Sequence, residues 1–135
     1  MVSQIRAKRI ANRILEELST LMMMEVADPR IATAYFTKVR VDRELAYADI
    51  YVSSLEGSQM KDEILEGMNH AKGFLRSELA HRIELRTFPA LRIHWDPSPE
   101  HADRINALIA SLEEEEQEST STSDQESEKN DLEDA

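Results

Sequence analysis

Residues 68–79 read Met68-Asn69-His70-Ala71-Lys72-Gly73-Phe74-Leu75-Arg76-Ser77-Glu78-Leu79. Helical spacing enters this stretch through Met60, Ile64, Met68 and Ala71 and leaves it through Leu75, Leu79 and Ile83, each apolar residue three or four from the last. Gly73 interrupts the run, and a glycine inside a helix costs about 1 kcal/mol relative to alanine. The pattern predicts one broken helix, or two helices meeting at a kink around Gly73, with Phe74 packed beneath it. The elements on either side decide what this block packs against.

Upstream, Ala7, Ile10, Ala11, Ile14, Leu18, Leu21 and Met22 fall on one face of a helix expected from Ser3 to Val26. Ser3 is a suitable N-cap, and Asp28-Pro29 stops the helix because the residue before proline avoids helical angles. The Met22-Met23-Met24 run reads as core filler. Tyr35, Thr37, Val39 and Val41 then alternate with Phe36, Lys38 and Arg40. After a tight Asp42-Arg43-Glu44 connection, Ala46, Ala48, Ile50 and Val52 alternate with Tyr47, Asp49 and Tyr51, predicting a hairpin. Downstream, Leu91, Ile93 and Trp95 alternate with Arg92, His94 and Asp96 in a third strand. Ser98-Pro99-Glu100 opens a last helix whose buried stripe is expected from Ala102, Ile105, Ile109 and Leu112. The order α-β-β-α-(kink)-α-β-α predicts an α+β domain, a three-stranded sheet with helices packed on one face.

Charge divides the chain. The 135 residues carry 16 Lys+Arg and 27 Asp+Glu, a formal net charge of −11. Residues 113–135 hold eleven of the acids and one base, Lys129, with Leu132 and Ala135 as the only apolar side chains. Such a segment buries too little to offset the entropy of ordering, so residues 1–112 are expected to form the domain and 113–135 a disordered acidic tail. With no cysteine there is no disulfide, thiolate nucleophile or Cys-based zinc site. Three scattered glycines build neither a Walker loop nor a dinucleotide fingerprint. No apolar run approaches the roughly 18 residues of a membrane span, and the opening Met1-Val2-Ser3-Gln4-Ile5-Arg6 lacks the apolar block of a signal peptide. A cytoplasmic protein is expected.

The four histidines, His70, His81, His94 and His101, show no HExxH spacing. His94 and Asp96 share a strand face, where a polar pair on the solvated side of the sheet is the simpler account than a metal site. Without a nucleophile-elbow serine or a cleft to hold paired carboxylates, no catalytic activity and no cofactor are expected. Basic residues are more informative. Arg6, Arg9 and Arg13 form a stripe on the first helix, with Lys8 at the same end, where a positive field collects phosphate oxygens. Pairing of Arg13 with Glu16 or Glu17 is the competing account. Lys72, Arg76, Arg82 and Arg86 make a second set around and after the glycine, with Glu78 and Glu84 available to neutralise them. Arg30, after Asp28-Pro29, is placed to reach the start of the first strand, with bonding of loop carbonyls as the competing account. Trp95 reads as core rather than as a base-stacking platform.

At Ala71-Lys72-Gly73, in this strand order, the chain resembles a type II KH domain. KH domains ordinarily carry a Gly-x-x-Gly loop there, which clamps single-stranded backbone. An Ala-x-Gly in its place is similar to the ribosome-binding factor A family. Other segments agree: Asp28-Pro29-Arg30-Ile31, Val41-Asp42-Arg43-Glu44-Leu45-Ala46-Tyr47-Ala48, Ile50-Tyr51-Val52-Ser53, and Leu85-Arg86-Thr87-Phe88-Pro89-Ala90-Leu91. The resemblance covers residues 3–112. It implies a bacterial assembly factor that binds the free small (30S) ribosomal subunit and assists late maturation of 16S rRNA, including its 5′ end, without cutting it, and growth in the cold. The partners implied are 16S rRNA and neighbouring ribosomal proteins, with no membrane or small-molecule substrate and a monomeric chain. On this reading Arg6, Lys8, Arg9, Arg13, Arg30, Lys72, Arg76, Arg82 and Arg86 contact RNA, and Ala71 and Gly73 set the angle between helices. The rival readings are a protein-interaction module that uses the sheet or the Met-rich helix and, last, a metal-dependent nuclease.

Overall fold

Ser3 opens the first helix as a cap: its Oγ accepts from the Arg6 N–H at 3.1 Å and its carbonyl from the Ala7 N–H at 2.9 Å. The computed structural model describes the backbone of residues 1–24 and 28–133, and side chains up to residue 118 apart from those of 24–27. Helix α1 spans Gln4–Met24, about 30 Å; the expected end at Val26 lies outside the described residues. Asp28 then caps a 3-10 turn, Pro29–Ile31, by accepting from the Arg30 N–H. Strands β1 (Ala34–Val41) and β2 (Tyr47–Ser54) form the hairpin. Its turn is held by Asp42, whose carboxylate accepts from the Tyr47 N–H at 2.7 Å and the Ala46 N–H at 3.3 Å, while Leu45 takes the left-handed φ of 56°. A second 3-10 turn, Gly57–Met60, leads into α2, Lys61–Arg82. Strand β3 is Ala90–Trp95 and α3 is Ser98–Glu133.

The sheet order is β1-β2-β3, with β1 antiparallel and β3 parallel to the central β2. The parallel pairing follows from the long crossover through α2. Register builds rows across all three strands. Val41–Ala48–Leu91 and Val39–Ile50–Ile93 line one face, and Arg40–Asp49–Arg92 and Lys38–Tyr51–His94 line the other. The helices take the apolar face, α1 over β1 and α2 over β3. Ile14, Leu18 and Leu21 from α1 and Leu75 and Leu79 from α2 meet Ala48 and Ile50 there, all fully buried. A second cluster joins Ile64 and Met68 of α2 to Val52 and to Ile31 of the Asp28 turn.

Several expectations are corrected. Lys61–Arg82 is one helix, so Ala71 and Gly73 lie inside α2 and not at a junction between two helices; the other residues of that turn are helix formers and carry it past the glycine. Phe74 is 45% exposed instead of packed beneath a kink. Met23 is 88% exposed, because the three consecutive methionines cannot share one helix face. A bulge at Thr37 shifts the β1 register between Phe36 and Lys38, so Phe36 joins Val39 and Val41 on the core side rather than opposing them. Asp96 is buried, with its Oδ2 accepting from Thr37 Oγ1 at 2.7 Å, and so does not share the solvated face with His94.

Residues 98–135 make a separate unit. There α3 is a single helix with no second element of its own to cover a stripe, and Ala102, Ile105, Ile109 and Leu112 are exposed, contrary to the buried face expected of them, as is Leu108. The described backbone of α3 runs from Ser98 to Glu133, through the segment that the sequence sets apart as an acidic tail. A helix satisfies its own backbone hydrogen bonds, and glutamate is a fair helix former. Residues 134 and 135 lie outside the described residues.

Candidate nucleic-acid interface

Each predicted basic residue has a defined place. Arg6, Lys8 and Arg9 project from the first turns of α1, exposed, and none forms an ion pair among the described residues. Arg6 and Arg86 both line a groove of about 560 Å³, together with Glu44 and Leu85. Lys8 belongs to a second groove of about 500 Å³, between α1 and the edge strand β1. Its floor is Ala7, Ala11, Val39 and Val41, and Lys38, Arg40 and Arg43 stand around it with Lys8. The groove has four cations in its lining, of which Lys38 and Arg40 carry their charged ends over the Tyr51 ring on the other face of the sheet. Its acid, Asp42, is held below its ordinary range chiefly by the Tyr47 N–H, which donates to it.

Other members of the set are committed inside the fold. Arg13 and Arg82 converge on Glu17: Arg13 Nη2 reaches Oε1 at 3.1 Å, and Arg82 Nη1 donates to Oε2 at 3.3 Å. Glu17 therefore ties α1 to α2. Arg76 donates to the Phe88 carbonyl at 2.7 Å and the Pro89 carbonyl at 3.2 Å, fastening the approach to β3 onto α2. Arg30 grips Asp28 through Nε and Nη2, the shortest contact being 2.7 Å, and lies 3.5 Å from Glu66. The Asp28 carboxyl is lowered to about 2, first by the Arg30 side-chain hydrogen bonds and then by the Arg30 backbone N–H. Lys72, half-buried on α2, has no ion pair among the described residues. The nine cations are accordingly not one patch.

The glycines exchange roles relative to the sequence reading. A Cβ placed on Gly73 would meet no atom within 4 Å, whereas one on Gly67 would lie 2.8 Å from Ile31 Cγ2 and 3.4 Å from Arg30 Cβ. Gly67 is the close-approach glycine, where the Asp28–Ile31 turn lies on α2. Gly73 instead leaves a bare, exposed spot on that helix.

Sequence reasoning missed Lys38, Arg40 and Arg43 as part of the Lys8 groove. The available signal was the strand alternation, which sets Lys38 and Arg40 opposite Val39 and Val41. The pairing of Lys38 and Arg40 with particular β2 residues needed the register.

A family model described as ribosome-binding factor A matches residues 6–109. Ribosome-binding factor A of Chromohalobacter salexigens is 42% identical over 106 residues, spanning 77% of this chain and 81% of that one. That of Clostridium tetani is 37% identical over 116 residues, spanning 85% and 96%. Among solved structures, the crystal structure of ribosome-binding factor A from Thermus thermophilus is similar with a TM-score of 0.52 at 20% identity, covering 66% of this chain and 89% of that chain, a likeness of fold alone. A solution structure of a Thermotoga maritima protein gives 0.51 at 28% identity, covering 67% and 82%.

Proposed function

The chain belongs to the ribosome-binding factor A family, and on that premise we propose that it binds the free small ribosomal subunit through 16S rRNA and assists late maturation of that subunit, including processing of the rRNA 5′ end, without cutting RNA itself. Family membership over residues 6–109 carries the reading. Supporting it, Arg6, Lys8, Arg9, Lys72 and Arg86 are left without ion pairs among the described residues, although residues 1–97 hold 14 basic and 14 acidic side chains. We assign the phosphate contacts to these five. Arg13, Arg30, Arg76 and Arg82 are assigned to positioning the helices and turns that carry them. Gly73 exposes helix backbone that the fold itself does not fill, so that rRNA approaches α2 closely there; the small side chain of Ala71, two residues earlier, does not obstruct that approach. Lacking a Gly-rich clamp at this position, the site reads folded RNA shape more than a linear sequence.

Sedimentation of the purified chain with free small subunits, free large subunits and assembled ribosomes at two salt concentrations tests this. Comigration with the free small subunit alone, lost at the higher salt, is expected, because each phosphate contact adds about 0.9 to the salt slope on duplex nucleic acid and about 0.7 on single strands. Absence from every ribosomal fraction at low salt would overturn it. Comigration that survives both salt and the replacement of Arg6, Lys8 and Arg9 by glutamine would favour docking on ribosomal proteins.

A further inference from the structure

We infer that the open face of the sheet, the face no helix of residues 1–97 covers, is a second RNA-contacting surface that takes a short single-stranded segment by stacking its bases on Tyr47, Arg92 and His94 while Lys38 and Arg40 meet its phosphates. The surface is separate from the α1 and α2 cations assigned above, and its chemistry stands without them.

Two rows of side chains cross this face. In one, Lys38 Nζ lies 4.5 Å from the Tyr51 ring centroid, and the Tyr51 and His94 rings stack with centroids 5.1 Å apart and planes 30° apart. In the other, Arg92 makes a two-pronged contact with Asp49, Nε to Oδ1 at 2.7 Å and Nη2 to Oδ2 at 3.0 Å, and His94 Nε2 lies 2.7 Å from the same Oδ1. The Arg92 guanidinium in turn lies over Tyr47, 4.1 Å from its centroid.

Charge selects the partner. The acid among these residues, Asp49, already has both oxygens engaged, and the Arg92 hydrogen bonds hold its carboxyl below the usual range. Lys38 and Arg40 have no ion pair among the described residues and rest on the Tyr51 ring instead. A face with that surplus of cations, in residues 1–97 whose 14 basic and 14 acidic side chains balance overall, fits a polyanion better than an ordinary protein surface. Geometry narrows it further. The planar groups are fixed before any ligand arrives, each held by a neighbour across the strands, so little ordering entropy remains to be lost on binding. Tyr47 and Tyr51 point the same way, four residues and roughly 13 Å apart along β2, a span that two or three splayed nucleotides cover. Tyrosine, histidine and guanidinium planes are the groups on which unstacked RNA bases lie, whereas bases inside a duplex cannot reach them.

The test uses the full chain, a fluorescein-labelled short oligouridylate, and a duplex RNA of equal phosphate count, with urea midpoints confirming that each variant folds. Tyr47→Leu is expected to weaken oligouridylate binding about fivefold or more, Tyr47→Phe to restore it, and the duplex affinity to stay unchanged. Lys38→Gln and Arg40→Gln should each lower the oligouridylate salt slope by about 0.7. The inference is overturned if the unaltered chain does not bind oligouridylate at low salt, or if these variants bind it as the unaltered chain does. It is equally overturned, in favour of a protein partner, if Tyr47→Leu abolishes comigration with small subunits while leaving oligouridylate binding intact. Comigration of the unaltered chain is scored separately, so failure of this surface and failure of the ribosomal reading are distinguishable.

Discussion

Gly67 and Gly73 sit six residues apart in one helix and should respond oppositely to the same substitution. Gly67→Ala drives a methyl against Ile31 Cγ2, a methyl of a buried β-branched side chain, and is expected to cost about 1–3 kcal/mol in urea unfolding. Gly73→Ala meets open space and replaces a flexible residue in a helix interior, so stability should rise by about 0.5–1 kcal/mol. If rRNA approaches the helix there, the more stable variant binds small subunits more weakly; equal or tighter binding would remove Gly73 from the interface. Asp28 offers a pH readout. Its carboxyl sits at about 2 against an ordinary 3.8 because Arg30 donates to it. A depressed carboxyl contributes stability that is complete above its unfolded value and is lost as pH falls through the folded one. The Arg30 contact therefore stops helping the fold between about pH 4 and pH 2, and a side-chain NMR titration of Asp28 should show a midpoint near 2. A midpoint at its ordinary value would mean that the contact does not persist in solution.

Among the elements, the seam between α2 and β3 depends on an arginine that the sequence alone assigns to RNA. Arg76 satisfies the carbonyls of Phe88 and Pro89, both buried residues. Arg76→Ala leaves those acceptors to water or to nothing and is expected to cost about 1–3 kcal/mol. Its effect on RNA affinity, measured at a temperature where the variant is folded, should be small; a large loss of affinity with unchanged stability would return Arg76 to the interface. The Glu17 clip between α1 and α2 is weaker. Arg13 is half-exposed and Arg82 less so, and partly solvated ion pairs of this kind contribute about 1 kcal/mol or less, so Arg82→Gln should move the urea midpoint only slightly.

For the molecule as a whole, the acidic segment dominates net charge without contributing to the described core. Deleting residues 113–135 is expected to leave the stability of the remaining chain within about 0.5 kcal/mol, since none of the described core residues lies there. The helical circular dichroism signal should fall by less than a fully helical segment would carry, because Glu114 and Glu118 repel across one turn and the following Ser119, Thr120, Ser121 and Thr122 are mediocre helix formers. We favour a solubilising role for this segment. Affinity of the shortened chain for unrelated RNA at low salt should then match that of the full chain, and a marked gain would indicate that the acidic segment competes with RNA.

Local chemistry determined the helices, the hairpin and the third strand, because a period of about 3.6 or 2 in apolar residues is set by which side chains must leave water, whatever their partners. Ser3 as a cap and the Asp28-Pro29 stop were legible for the same reason. The site was legible only as a list of cations. Whether Arg76 meets a phosphate or a carbonyl, or Arg82 reaches Glu17 on another helix, depends on residues brought together from 12 or more positions away, whereas the Arg13–Glu17 pair, one turn apart, was legible. The bulge at Thr37 that reverses Phe36, and the rows that set Lys38 against Tyr51 and Arg92 against Asp49, follow from strand register. Register is a tertiary quantity: a one-residue slip sends every side chain to the opposite face, and only packing of the apolar rows under α1 and α2 selects the alignment that leaves the aromatic and basic rows open.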